Sequence, residues 1–190
     1  MNTTLITSIA MGIALSACCG FRVFIPLLAA SIGAYFKWIP VNAGMEWLGT
    51  LPAIISFATA AILEIAGYYI AFVDNILDTL ATPLAMVAGS VVAASFLPTG
   101  EWDPLLRWTL GIIAGGGAAG TIQLGTGFLR LFSTKTTAGT GNAVVATGEN
   151  LAAITGSAGS LAFPVIAAIL ILALVLYIFY RLTIKLFGQN

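Results

Sequence analysis

Histidine is absent from this chain of 190 residues. Its absence removes the commonest catalytic base and metal ligand, and with it any Ser-His arrangement or histidine-containing zinc motif. Charge is scarce as well: seven basic and seven acidic residues make up 7% of the chain and sum to zero. No basic block or acidic tail is present to meet nucleic acid or an anionic lipid surface. The only two cysteines, Cys18 and Cys19, are adjacent in one apolar run. Neighbours on a helix point in different directions, so a disulfide between them is not expected, and they lack the two-residue spacer of a dithiol redox motif. Asp74, Asp78 and Asp103 fall at the ends of apolar runs, which argues against an aspartyl dyad at depth. The chain reads as non-enzymatic, with no cofactor and no metal site.

Apolar residues are what the chain has in abundance, at 59%. Several runs reach the roughly 20 residues that cross a hydrocarbon core. The expected fold class is all-α: a polytopic membrane helix bundle forming a single integral membrane domain over residues 1–190. Leu15-Ser16-Ala17-Cys18 has the pattern that precedes a lipidated cysteine. However, Met-Asn-Thr-Thr supplies no basic charge and the chain stays apolar beyond Cys18, so a true membrane element is expected there.

The first apolar run, about Leu5 to Phe36, is too long for one upright helix and short for two. Cys19-Gly20 and Pro26 are its expected break points, giving a tilted, broken or re-entrant helix. The second run is about Leu51 to Phe72, with Pro52 suited to its first turn. Val73 to Thr82 reads as a polar link. The third run follows Pro83 to Leu97, closed by Pro98-Thr99-Gly100. The fourth covers about Pro104 to Phe132 through the small-residue tract Gly115–Gly120, and the last is Leu161 to Leu186. Between them STKTTAGTGN reads as a loop. Ala143 to Ser160 is too polar to face lipid, and a short buried helix is expected there.

Six membrane-embedded segments follow. Ala17-Cys18-Cys19-Gly20 resembles Gly117-Ala118-Ala119-Gly120. Glu64 is echoed by Glu149, and Leu80-Ala81-Thr82-Pro83 by Leu161-Ala162-Phe163-Pro164. This order predicts two inverted three-segment repeats, residues 1–98 and 99–190, an architecture that binds near the midplane. Basic residues divide four to two whether five or six segments span, so they do not orient the chain. Trp38, Trp47, Trp102 and Trp108 fall in or beside two links on one side, as half of an interfacial belt would.

ALSACCGFRVFIPLLAAS, the series Glu64…Asp74…Asp78…Pro83, and GNAVVATGENLA together resemble a domain-of-unknown-function family of small bacterial integral membrane proteins. Gly20-Phe21-Arg22 followed by Pro26 is the most specific part. The resemblance implies a multi-pass protein of the bacterial inner membrane and brings no established activity. It departs at Tyr68-Tyr69-Ile70, where relatives are more polar.

Three ionisable residues lie inside apolar runs: Arg22, Glu64 and Glu149. A charge at the bilayer centre costs roughly 2.5–3.5 kcal/mol on insertion scales, so each needs a partner or a wet cavity. The candidate substrate- or ion-binding set is these three, with Gly20 and Gly120 from the repeated tetrads and Asn150 beside Glu149. Arg22 suits an anionic group or a structural ion pair, and the glutamates suit proton or cation coupling or helix packing. Asp74 and Asp78 read as a helix start and solvated charges. Two functions remain. One is a small transporter or lipid-carrier flippase for an unknown solute, ion or lipid carrier, its site at the midplane. The other is a non-transporting membrane scaffold whose buried charges are structural. Membrane lipids are the expected surroundings, and a homodimer would give so short a chain room for a path.

Overall fold

A computed structural model describes residues 3–97 and 103–187, and among these the fold is all-helical. Seven helices carry it: α1 (Thr3–Cys18), α2 (Phe24–Tyr35), α3 (Leu51–Gly67), α4 (Ala71–Phe96), α5 (Pro104–Thr137), α6 (Asn142–Ala162) and α7 (Pro164–Phe187). Three of them contain stretches long and apolar enough to cross a membrane: Phe72–Phe96, Pro104–Thr137 and Pro164–Ile184.

The first apolar run breaks where Cys19-Gly20 predicted, but Pro26 is not a break. It sits in the first turn of α2, where its missing N–H is not needed. The two arms of this run form a hairpin. A side chain on Gly12 would press on Phe96, whereas one on Gly20 would strike the Ala119 carbonyl, so α1 runs from the C-terminal end of α4 to the middle of α5. α2 then returns: the Ser31 hydroxyl donates to the Leu48 carbonyl at 2.6 Å, and Gly49 packs on Ala34. The loop after α2 is tied to the end of α4, with Asn42 N–H donating to Ser95 O at 3.0 Å and its side chain to Ala94 O at 2.8 Å. The first run is therefore re-entrant, leaving and regaining the same end of the bundle.

From that end α3 runs away, with Thr50 as its N-cap and Pro52 in its first turn. A short turn at Tyr68-Tyr69-Ile70 reverses the chain into α4. Val73 to Thr82 is not a link. It is the first part of α4, and Pro83 lies inside that helix instead of opening one. Asp74 falls in the first turn of α4, where a carboxylate complements the helix dipole, and Pro83 removes one backbone bond without ending the rod. α5 runs away again through a π-helical turn, Gly111–Gly116, and its last turns take in residues 133–137 of the expected loop. α6 returns and α7 runs away. The helix expected at Ala143 to Ser160 is present as α6, burying one face through Ala146, Glu149, Ala153 and Ser157.

Close packing of α4 on α5 rests on small residues. A side chain on Gly115 would collide with the Gly89 carbonyl, and one on Gly116 with Ser90. Such contacts let helices approach backbone to backbone. The core beside them contains Leu15, Val23, Leu27, Val92 and Phe96.

The inverted repeat is not seen. Residues 3–97 start and finish at the same end, because the hairpin does not traverse the bundle, whereas 104–187 traverse it three times. Leu80–Pro83 lies within α4, but Leu161–Pro164 forms the α6–α7 junction.

Candidate functional site

The break between α1 and α2 leaves Arg22 outside any helix, at the tip of the hairpin. Its guanidinium is 1% exposed and almost fully hydrogen-bonded. Nε donates to Asn150 Oδ1 at 2.6 Å, Nη1 to Glu149 Oε2 at 2.7 Å and to Phe21 O at 3.2 Å, and Nη2 to Ala146 O at 3.2 Å. Three of these acceptors belong to α6, so the tip is moored to that helix.

Glu64 does not pair with Arg22 directly. It reaches from α3 to the start of α2, where its two oxygens accept from Val23 N–H at 2.8 Å and Phe24 N–H at 3.1 Å. A carboxylate from another helix thus serves as the N-cap of α2, whose own N-cap position, Val23, has no side chain able to do so. The helix dipole adds to the attraction.

Two members of the network were not anticipated. Arg130, near the end of α5, is 2% exposed, and Asp74 is 4% exposed. Arg130 grips Glu149 with Nε at 3.1 Å to Oε1 and with Nη2 to Oε2, while Nη1 donates to Asp74 Oδ1 at 2.5 Å. Asp74 also accepts from Asn142 at 3.4 Å. Asp78 lies 3.6 Å from Arg130, too long for a hydrogen bond, and its Oδ1 has no hydrogen-bond partner. The expectation that Asp74 is solvated, and that no internal charges exist beyond Arg22, Glu64 and Glu149, is therefore corrected. The signals were present. Arg130 is flanked on both sides by apolar residues (Leu129, Leu131), and Asp74 and Asp78 share one helical face at i, i+4.

Both guanidinium groups lie over the ring of Tyr68, at 3.8 Å for Arg22 and 4.2 Å for Arg130. A buried cation over a ring face gains on the order of 2 kcal/mol when desolvated. The Tyr69 hydroxyl bonds Thr147 at 2.8 Å and accepts from Asn150 at 3.4 Å. Tyr68 and Tyr69 are thus part of the network.

Gly20 and Gly120 serve packing: Gly20 lies against Ala119 and Ile122, and Gly120 against Met86. Glu64 and Asp74 lie toward one end of their helices. Asp74 precedes Phe96 by about 33 Å of helix, and Glu64 follows Leu51 by about 20 Å. Exposed Trp38 and Trp47, and Trp108 near the start of α5, mark the opposite end, while Trp102 lies outside the described residues.

Two carboxylates of the network are reached by grooves. One of about 530 Å³, lined by Phe24, Leu63, Val73 and Leu84, touches Glu64. Another of about 480 Å³, lined by Leu129, Phe132 and Val145, touches Glu149. Both linings are mostly apolar. The bonded core of Arg22, Arg130, Asp74 and Glu149 balances in charge; Glu64, which caps α2, and Asp78, whose side chain is 31% exposed, set two further carboxylates beside it. Among the described residues, no group of three or more acidic or cysteine side chains is placed to hold a metal ion.

No curated protein and no solved structure matches the chain. A family model for a domain of unknown function, DUF4126, matches residues 9–183. That span includes Arg22, Glu64, Asp74, Arg130 and Glu149, and on its strength the chain belongs to the DUF4126 family.

Proposed function

We propose that this protein is a small, non-enzymatic, multi-pass transporter of the bacterial inner membrane, moving an ion, a small solute or a lipid carrier. In this reading the Arg22–Glu149–Arg130–Asp74 network is both the latch and the coupling site of a closed state. The three long apolar stretches support the membrane setting. Five traversing helices and the re-entrant hairpin supply the six embedded segments. Lys135, Arg181 and Lys185 near the network end, against Lys37 and Arg107 near the other, favour a cytoplasmic network. A homodimer remains part of the reading because one short chain offers little room for a path.

The observation that carries transport is the pair of further carboxylates, Glu64 and Asp78, set beside a core of two arginines and two acids that already balance. A buried network that only fixes packing gains nothing from surplus carboxylates, since each uncompensated charge is costly. A coupling site needs such a surplus in order to take up and release protons or a cation. Broken backbone at membrane depth is also tolerated only where protein or a cavity satisfies it, as Glu64 does here.

One observation favours the scaffold: Arg22, Arg130, Glu149 and Asp74 are sealed and bonded to one another, and the grooves that reach the network are apolar. The deciding experiment is uptake by purified protein in liposomes under imposed proton and sodium gradients. Transport predicts gradient-dependent uptake that Glu64→Gln and Glu149→Gln abolish while remaining folded. A wild-type protein that dissipates neither gradient, alongside folded and inert glutamine variants, would leave the scaffold standing.

A further inference from the structure

α5 and α7 pack through Ala118 and Ile122 against Ile171 and Val175, and leave an open groove beside one further contact. The contact is Gly125 against Ile178, where any side chain on the glycine would press on the isoleucine. The groove measures about 990 Å³ and is lined by Leu129 and Phe132 of α5, by Leu174 and Ile178 of α7, and by Phe21 from the hairpin tip. That volume lies at the top of the ~300–1,000 Å³ range in which proteins hold small ligands. Leu129 and Phe132 are exposed, so the groove opens sideways to whatever surrounds the bundle.

Its chemistry is asymmetric. The walls are apolar apart from Thr126, two tyrosines and Arg181, which lies about 26 Å of helix beyond Pro164, at the same end as the network. Arg181 is exposed, its guanidinium rests 6.0 Å from the Tyr177 ring centroid, and among the described residues no carboxylate pairs with it. The other arginine of this region, Arg130, is saturated by acids. Arg181 thus offers a planar pair of donors at the mouth of an apolar channel, the form that matches a phosphate.

We infer that this groove binds an anionic glycerophospholipid, its acyl chain along Leu129, Phe132 and Ile178 and its phosphate at Arg181. The charge complementarity of Arg181 selects an anionic head over a zwitterionic one, as basic sites beside membrane helices do. Because Phe21 forms part of the wall and precedes Arg22, the bound chain would press on the tip that the network holds. The inference rests on the membrane reading, not on transport.

The test is lipid retention by the full chain, purified in detergent from an equimolar mixture of phosphatidylglycerol and phosphatidylcholine and examined by native mass spectrometry. About fivefold enrichment of phosphatidylglycerol is expected for the wild type, the worth of one well-placed basic side chain. Arg181→Gln should abolish it and Lys135→Gln should not. Leu129→Trp, which fills the groove, should lower retention of both lipids. Equal retention of both lipids by the wild type, or enrichment indifferent to Arg181→Gln, would overturn the site. Release of the protein from membranes by alkaline extraction would instead overturn the membrane reading beneath it.

Discussion

The two ends of this bundle are held together by different physics. At the tryptophan end the helices meet through small residues and apolar side chains: Gly12 on Phe96, Gly111 on Ser90 and Ala94, Leu48 beneath Ser31. At the opposite end they meet through guanidinium, carboxylate, amide and ring. Contacts of the first kind fail gradually, because packing can relax. Those of the second are all or none, since removing one partner strands another in a medium where a bare charge is costly. One end of the bundle is thus held by packing and the other by charge.

The largest expected effect tests the charged end. Arg130→Met would leave Asp74, Asp78 and half of the Glu149 grip unmatched, a loss of about 3–5 kcal/mol. It should appear as failed recovery of monodisperse protein by size-exclusion chromatography. Arg22→Met should be milder, because Arg130 still holds Glu149. If the two variants behave alike, Arg130 is not the centre of the network.

Next comes the junction of the two regions. Gly20→Ala would drive a methyl group into the Ala119 carbonyl, a collision with backbone that cannot swing away. It should cost about 1–3 kcal/mol, the range for overpacking, read as a lower thermal unfolding midpoint. Smaller still is Glu64→Gln, which keeps an acceptor for the start of α2 but loses the charge facing the helix dipole. About 1 kcal/mol is expected in the same assay. Smallest, and opposite in sign, is Gly148→Ala. That glycine has open space around it within α6, so alanine should stabilise by about 0.5–1 kcal/mol. A destabilising Gly148→Ala would mean that α6 is packed against something other than the contacts described.

What the sequence made legible follows the same division. Arg22, Glu64 and Glu149 stood out because each sits in the middle of an apolar run, where burial can be read from neighbours alone. So did the break at Cys19-Gly20 and the helix around Glu149. Arg130 and Asp74 did not stand out, because each lies a few residues from a chain reversal, where water is the default expectation. Only the fold turns both inward, Arg130 onto the ring of Tyr68 and Asp74 onto Arg130. Pro83 misled for a related reason. Proline after a polar stretch signals a helix start, but here Asp74 is anchored by Arg130, so the polar stretch is itself helical and proline falls within it. The hairpin's return was hidden because its cause is non-local: the first residues of α2 are capped by a glutamate 40 residues along the chain.

A re-entrant first run, its tip moored at the charged end, places both of its ends on one face. Sidedness of single cysteines tests it most directly, in a version lacking Cys18 and Cys19, with one cysteine at Thr4, Glu46 or Lys135 and a membrane-impermeant thiol reagent. Thr4→Cys and Glu46→Cys are expected to react from the same face and Lys135→Cys from the other. Reaction of Thr4→Cys and Glu46→Cys from opposite faces would mean that the run crosses the membrane, and the hairpin would be wrong.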